Sequence, residues 1–230
     1  MGQRGAGVKI IRSENELTAH LSDFQGDVIV QEYVDGYEYG VFYYRYPGEK
    51  AGHIFSITDK RLLKLTGDGQ STLEQLILMD DRAVCLARFH MRNHQEHLFE
   101  VPEKGEEILL VEVGTHALGA MFLDGKEIFT PELEIAIDRV SKNFKGFYFG
   151  RYDIRTSSIV DFKKGKNFKV VELNGVTSEA THIYNPGNSL WYAYKVLMRQ
   201  WRIAFEIGAA NRKRGIQPAT SKQMLARLLK

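Results

Sequence analysis

The chain has 230 residues, enough for one large domain or two small ones with a substantial buried core. Its 31 basic and 29 acidic residues leave a net charge of +2, so no global field indicates binding to nucleic acid or to a membrane. The single cysteine, Cys85, excludes an internal disulfide and a zinc site made of cysteines alone.

Nothing in the sequence directs the chain to a membrane. Residues 1–7 lack the apolar run of a signal peptide, and no stretch approaches the ~20 apolar residues that span a bilayer. One cysteine suits a reducing compartment. We therefore expect a soluble, cytoplasmic protein.

Strands and helices are predicted in mixed order along the chain. Apolar and β-branched runs predict strands at residues 8–11, 27–34, 39–46, 52–58, 108–113, 120–123, 147–153 and 168–174. Helices are predicted to begin after Ser13, near Ser71, after Thr130 with Pro131 in the first turn, and at Ser189. Because strands and helices do not strictly alternate, the pattern predicts an α+β fold with a largely antiparallel sheet flanked by helices.

The most informative motif is Gly150-Arg151-Tyr152-Asp153, followed by Glu172-Leu173-Asn174. Strand periodicity places Arg151 with Asp153 on one face, and Glu172 with Asn174 on one face. If the two strands pair, three oxygen-bearing side chains and one guanidinium converge, which suits Mg²⁺ and a phosphoryl group. A solvent-facing hairpin with an ion-pair network explains the same residues, and the pattern leaves both interpretations open.

A second motif, Gln31 to Glu38, is a strand that ends in an Asp-Gly turn. Its backbone could face an adenine edge and Glu38 a ribose, although a plain hairpin accounts for the spacing. The glycine loop at residues 2–7, with Arg4 and Gly5, could approach a phosphate closely.

Two weaker patterns have structural explanations. Residues 66–73 form a turn into a helix N-terminus, which could bind an anion or be a cap. His90, His94 and His97 share a helical face, but no carboxylate pattern supports a metal site there.

Together these motifs resemble the ATP-grasp ligases of the carboxylate–amine type, such as D-alanine–D-alanine ligase and cyanophycin synthetase, from the glycine loop to about residue 185. The resemblance implies an ATP-grasp fold and an ATP-dependent ligase that forms an acyl phosphate from a carboxylate and then an amide with an amine. It implies Mg²⁺, with Mn²⁺ as a substitute, and small-molecule carboxylate and amine partners. A homodimer is the candidate assembly.

The resemblance also implies a role for each site residue. The adenine and ribose side would be formed by Gln31, Glu32, Val34 and Glu38, and the phosphate loop by Arg4 and Gly5. Asp153, Glu172 and Asn174 would ligate the metal, Arg151 would steady the transferred phosphoryl group, and Lys60 or Arg61 would contact phosphate. Val176 to Glu179 and His182 fall near the acceptor substrate.

The chain also departs from the family. A Lys-Pro strand ahead of the glycine loop and a preceding domain are both missing from the sequence. We therefore expect residues 1–34 to be the remnant of an incomplete N-terminal subdomain and residues 35–230 to form the C-terminal subdomain of a longer ligase. Two other functions remain open, a nucleotide-binding module without turnover and a metal-dependent phosphohydrolase.

Overall fold

A computed structural model describes residues 8–24, 26–111, 114 and 119–228. The helices are α1 (Glu14–Asp23), α2 (Leu73–Met79), α3 (Ala87–Asn93), α4 (Pro131–Lys142), α5 (Ile159–Lys163), α6 (Leu190–Lys213) and α7 (Ser221–Leu228). The strands are β1 (Tyr37–Tyr44), β2 (His53–Arg61), β3 (Lys64–Thr66), β4 (Glu107–Leu109), β5 (Met121–Asp124), β6 (Phe149–Thr156) and β7 (Phe168–Asn174). Short 3₁₀ turns lie at Ala83–Leu86, Lys126–Ile128 and Thr181–Tyr184.

The main sheet has five strands in the order β5-β2-β1-β6-β7, and β6 pairs antiparallel with both β1 and β7. A two-stranded antiparallel sheet joins β3 to β4. Helices interrupt the order of strands without alternating with them. The predicted α+β class with a largely antiparallel sheet is therefore confirmed.

Helices cover both faces of the main sheet. On one face Tyr39, Val41, Tyr152 and Ile154 pack against α4 and α5 in a continuous apolar core. On the other face a smaller cluster joins the sheet to α6 through Phe42, Phe149, Ala180, Ile203 and Ile207. Burial of these side chains at about 25 cal/mol per Å² of apolar surface drives the assembly.

Helix caps agree closely with the sequence. Ser13, Thr130 and Ser189 each accept a backbone N–H of the first turn of α1, α4 and α6, as predicted. The capping box of α2 lies one residue later than predicted, because Thr72 and Gln75 bond reciprocally in place of Ser71 and Glu74. The residues between β6 and β7 form α5, with Ser158 as its cap and Phe162 buried.

Two predicted strands are wrong. Residues 27–35 have no regular secondary structure, and Ile29 is 93% exposed although its run of β-branched residues predicted a buried strand. Residues 8–11 likewise form no strand. β-propensity reports how well a side chain packs on a sheet, and neither segment joins a sheet of the described chain.

The chain divides into two compact units by its internal contacts. One contains residues 1–36 and 60–121, with a core built on α2 and α3 and the β3–β4 pair, and the other contains residues 37–59 and 122–230. Residues 60–121 group with the N-terminal segment in this division, and the sequence-based boundary at residue 35 stays a prediction. No helix in the described ranges combines the length and apolar character needed to cross a membrane.

Candidate functional site

A β-bulge determines which side chains of β7 share a face with the polar side chains of β6. Arg151 lies opposite Asn174 and Asp153 opposite Glu172, but Ile154 lies opposite Val170, so Val171 is the extra residue. A bulge shifts the alternation of side chains by one position. Val170 consequently packs in the apolar core while Glu172 and Asn174 share the opposite face with Arg151 and Asp153.

We call this arrangement the polar face, formed by Arg151, Asp153, Arg155, Glu172 and Asn174. Arg151 donates from Nε to Asp153 Oδ1 at 3.0 Å, and both side chains are mostly buried, at 15% and 10% exposure. Asn174 Nδ2 lies 3.4 Å from Asp153 Oδ2. The predicted convergence of Arg151, Asp153, Glu172 and Asn174 on one face is therefore what the strand register produces.

The loop after β7 borders this face and is fixed by a buried glutamine. Gln200 of α6 accepts from the backbone N–H of Ala180 at 2.8 Å and donates to the carbonyl of Ser178 at 3.0 Å. Between these anchors, the carbonyl of Glu179 accepts from Arg151 Nη1 at 3.1 Å. Arg151 is thus oriented from two sides, by a carboxylate and by the loop.

Gly150 permits a close backbone approach at the same place. A Cβ at this position would stand 2.2 Å from the carbonyl oxygen of Asn174 and 2.8 Å from the ring of Phe147. Any side chain would therefore push β7 away from β6 beside the predicted metal ligands.

The oxygen donors of this face fit Mg²⁺. The ion takes one or two carboxylates and keeps several waters, and Asp153, Glu172 and the amide oxygen of Asn174 provide two carboxylates and an amide. Asn174 points its Nδ2 towards Asp153, so its amide would have to flip in order to present Oδ1 to a metal ion. Among the described residues no group of three or more His, Cys, Asp and Glu side chains is arranged to hold a metal.

Glu38, predicted to accept the ribose, is engaged within the sheet. Arg155 donates from Nε and Nη2 to Glu38 Oε2 at 3.1 and 2.9 Å, and both side chains are largely buried. A ribose diol would have to share this carboxylate with Arg155. Its nucleotide role stays a prediction.

The other predicted nucleotide contacts belong to the first unit. Gln31 and Glu32 are exposed and Val34 is half-buried in the segment without secondary structure, while Lys60 is buried at the end of β2. Arg4 and Gly5 lie outside the described residues. Their roles remain predictions from the resemblance.

A cleft of about 370 Å³ lies beside β2, lined by apolar and aromatic side chains with a few polar groups. His182 and Tyr192 meet edge to face at its wall, and Asp124 and Lys126 also line it. Two of its polar atoms, His182 Nδ1 and Ser56 Oγ, are buried and make no hydrogen bond to any described residue. Burial lowers the pKa of His182, although Asp124 and the Ala180 carbonyl partly oppose the shift, so the imidazole is neutral at pH 7.

The two weaker sequence patterns prove structural. The Asp68 carboxylate accepts the backbone N–H groups of Ser71 and Gln70 and the Ser71 hydroxyl, and these bonds lower its pKa to about 2. The negative charge of Asp68 would repel an anion bound at this turn. His94 bonds the carbonyl of Leu110 and His97 bonds Glu100, while His90 is buried, so each imidazole has a structural place in the chain around it.

Sequence reasoning missed Arg155, Gln200 and the carbonyl of Glu179. Arg155 continues the alternation of Arg151 and Asp153 on β6, a signal that the sequence did contain. Gln200 carried no signal, because a glutamine in an apolar helix marks a buried polar contact only when its partners are known.

The comparisons with known proteins identify no family. No protein-family model matches the sequence. No curated protein matches it either. Fourteen chains of solved structures match this chain. One of them is a bifunctional glutathione synthetase from Pasteurella multocida, which is 13% identical and has a TM-score of 0.48. The match covers 74% of this chain and 25% of that one. This chain thus spans about a quarter of that protein, and a likeness of this degree defines neither family nor activity.

Proposed function

We propose that the chain is the phosphate- and metal-binding part of an ATP-dependent carboxylate–amine ligase of the ATP-grasp type. The observation that carries the proposal is the polar face, where the bulge at Val171 turns Glu172 and Asn174 toward Arg151 and Asp153. The reaction would move the γ-phosphoryl group of ATP to a carboxylate. An amine would then attack the acyl phosphate to give an amide, ADP and phosphate.

The acidic and basic residues of the polar face would have different roles in this reaction. Asp153, Glu172 and Asn174 would hold Mg²⁺, which supplies neutralisation of phosphate charge when bound. Arg151 is oriented by Asp153 and Glu179 and presents its remaining N–H groups to phosphoryl oxygens in a planar fork. Positioning and charge stabilisation suffice for phosphoryl transfer, so the scheme needs no protein nucleophile.

The cleft at His182 suits the amine substrate. The Asp124 carboxylate would pair with an ammonium group, and the apolar walls at Ile54 and Phe129 would cover the carbon skeleton. His182 is neutral at pH 7, so it can take the proton that an amine must lose before it attacks. One segment, residues 175–184, therefore contributes both the carbonyl that orients Arg151 and the imidazole of the cleft.

The test measures ADP release and trapping by hydroxylamine. The chain is incubated with ATP, Mg²⁺ and a panel of carboxylates, and we expect carboxylate-dependent ADP and a hydroxamate. Glu172→Gln should reduce both at least tenfold without changing the melting temperature, because Glu172 is exposed. Glu49→Gln, an exposed glutamate in the turn after β1, is the matched control and should change neither. Absence of ADP and hydroxamate with every carboxylate refutes the ligase function.

A second experiment separates the two substrate sites. Hydroxylamine is a nucleophile already in its neutral form at pH 7, so His182→Gln should keep hydroxamate formation and lose amide formation with an ordinary amine. Equal loss of both products would show that His182 serves the acyl transfer or the fold, and not the amine.

A nucleotide-binding module without turnover is the second candidate. It is favoured by the ion pair between Glu38 and Arg155, which occupies the carboxylate expected at the ribose. Mg-ATP would then raise the melting temperature while ADP release stayed at background. The same thermal measurement on Glu172→Gln shows whether the polar face holds the nucleotide's metal.

A further inference from the structure

One face of α6 is apolar, aromatic and uncovered. Its exposed residues are Trp191 at 83%, Tyr194 at 50%, Met198 at 73%, Trp201 at 45% and Phe205 at 76%. They recur at alternating spacings of three and four, so at 100° per residue they fall within an arc of about 80° on one side of the helix. We call them the α6 stripe.

The opposite side of α6 already performs the structural role of the helix. Ile203 and Ile207 pack in the core with Phe42 and Phe149, and Gln200 anchors the loop after β7. The stripe lies on the side of α6 that faces away from this core, and Trp191, Met198 and Phe205 are mostly exposed. Monomeric proteins rarely leave contiguous apolar patches of more than a few hundred Å² exposed.

The area of the stripe is close to that of a stable interface. Aromatic side chains bury about 150–250 Å² each, so at the exposures above the four rings and Met198 offer about 600 Å² per copy. Two such surfaces would bury about 1,200 Å², at the lower end of specific protein–protein interfaces.

We propose that the α6 stripe is the interface of an antiparallel dimer between two copies of this chain. The stripe continues at Gly208, which is exposed and whose Cβ position has no atom within 4 Å. With the two-fold axis between residues 199 and 200, Trp191 lies over Gly208 of the other copy, Tyr194 over Phe205 and Met198 over Trp201. The largest side chain thus meets the smallest residue, and the inner layers pair rings with a ring or a thioether.

The inference is independent of the proposed ligase function, because it uses none of the polar-face residues. The test is sedimentation velocity of the full chain across micromolar concentrations. We expect a concentration-dependent species of twice the 26.3 kDa monomer mass. A monomer at all concentrations overturns the proposal, including the case in which that monomer binds vesicles of anionic phospholipid through the stripe.

The register is tested by exchanging the sizes of two residues. Gly208→Trp removes the space that receives Trp191 and should weaken dimerisation at least tenfold, and Trp191→Ala combined with Gly208→Trp should restore it. Gly208→Trp folds, because its side chain points into open space. A Gly208→Trp chain that dimerises like wild type, or a double variant without recovery, overturns the antiparallel register.

The stripe itself is tested by charge. Phe205→Glu should give a monomer whose melting temperature equals that of the wild-type monomer. Lys213→Glu, which lies on α6 outside the stripe, should leave the dimer intact. Dimerisation that survives Phe205→Glu places the interface elsewhere and overturns the proposal.

Discussion

Replacing Gln200 with Met tests how the loop beside the polar face is held. Methionine is close to glutamine in size, so the substitution changes packing little and removes both hydrogen bonds. The N–H of Ala180 and the carbonyl of Ser178 then lose their partners. Gln200 itself is 1% exposed, so water does not easily replace its amide.

The magnitude follows from these two groups. A buried polar group that loses its partner costs about 1–3 kcal/mol, and the Ser178 carbonyl lies in the less buried of the two bonds. We expect a loss of about 2–3 kcal/mol in the free energy of unfolding. For a chain of this size that is a fall of roughly 5–10 °C in melting temperature.

Gln223→Met is the matched control, because Gln223 also accepts a backbone N–H, at 2.9 Å from Thr220, but at the exposed start of α7. It should shift the melting temperature by less than about 2 °C. Calorimetry of both variants and the wild type provides the comparison. If Gln200→Met is no less stable than Gln223→Met, the glutamine does not hold the loop, and the orientation of Arg151 by Glu179 needs another explanation.

Two further predictions concern stability. Gly150→Ala should lower the unfolding free energy by about 1–3 kcal/mol, because its Cβ would overlap the Asn174 carbonyl, while Gly175→Ala, with nothing within 4 Å, should have little effect in the same thermal melts. Burial lowers the pKa of His90, with a further contribution from His94, while Asp80 and the Leu110 carbonyl oppose the shift. Below pH 6.5 the unfolded chain therefore binds a proton at His90 that the folded chain does not bind. The free energy of unfolding should consequently fall by up to about 1.4 kcal/mol per pH unit as the pH decreases. His90→Leu should make this slope shallower in urea titrations, with buried His182 contributing the remainder, and exposed His97→Leu should leave it unchanged; a slope unchanged in His90→Leu contradicts the assignment.

The sequence predicted which side chains share a face of β6 and β7 better than it predicted which segments join the sheet. Strand periodicity alone placed Arg151 with Asp153 and Glu172 with Asn174, because each pair belongs to one continuous stretch of strand. It could not foresee that Val171 is a bulge, since the same periodicity would have put Val170 on the polar face with Glu172. A register shift depends on which partner a strand finds, and no local pattern encodes that.

The failure at residues 27–34 has a related cause. Val28, Ile29 and Val30 have strong β-propensity, but the described structure leaves them outside any sheet. Propensity measures the fit of a side chain to a sheet that already exists. The caps of α1, α4 and α6 were predictable because a cap needs only residues within the same turn.

The charges on the sheet surface around the polar face lead to one last prediction. The strand register puts Glu38 and Lys169 on the same face as Arg151, Asp153, Arg155 and Glu172, so these three acidic and three basic side chains carry no net charge together. A neutral surface, with Asp153 and Glu38 already bonded to arginines, offers a free polyphosphate little attraction.

Asp153 and Glu172 would change this balance if they held a divalent cation, because the ion would supply two positive charges beside Arg151. Nucleotide binding should therefore depend on the metal. In calorimetric titrations we expect ATP with Mg²⁺ to bind at least tenfold more tightly than ATP in EDTA, and Glu172→Gln to reduce that ratio. Equal affinity with and without Mg²⁺ would show that the face binds phosphate through its arginines alone, and that Glu172 and Asn174 are not metal ligands.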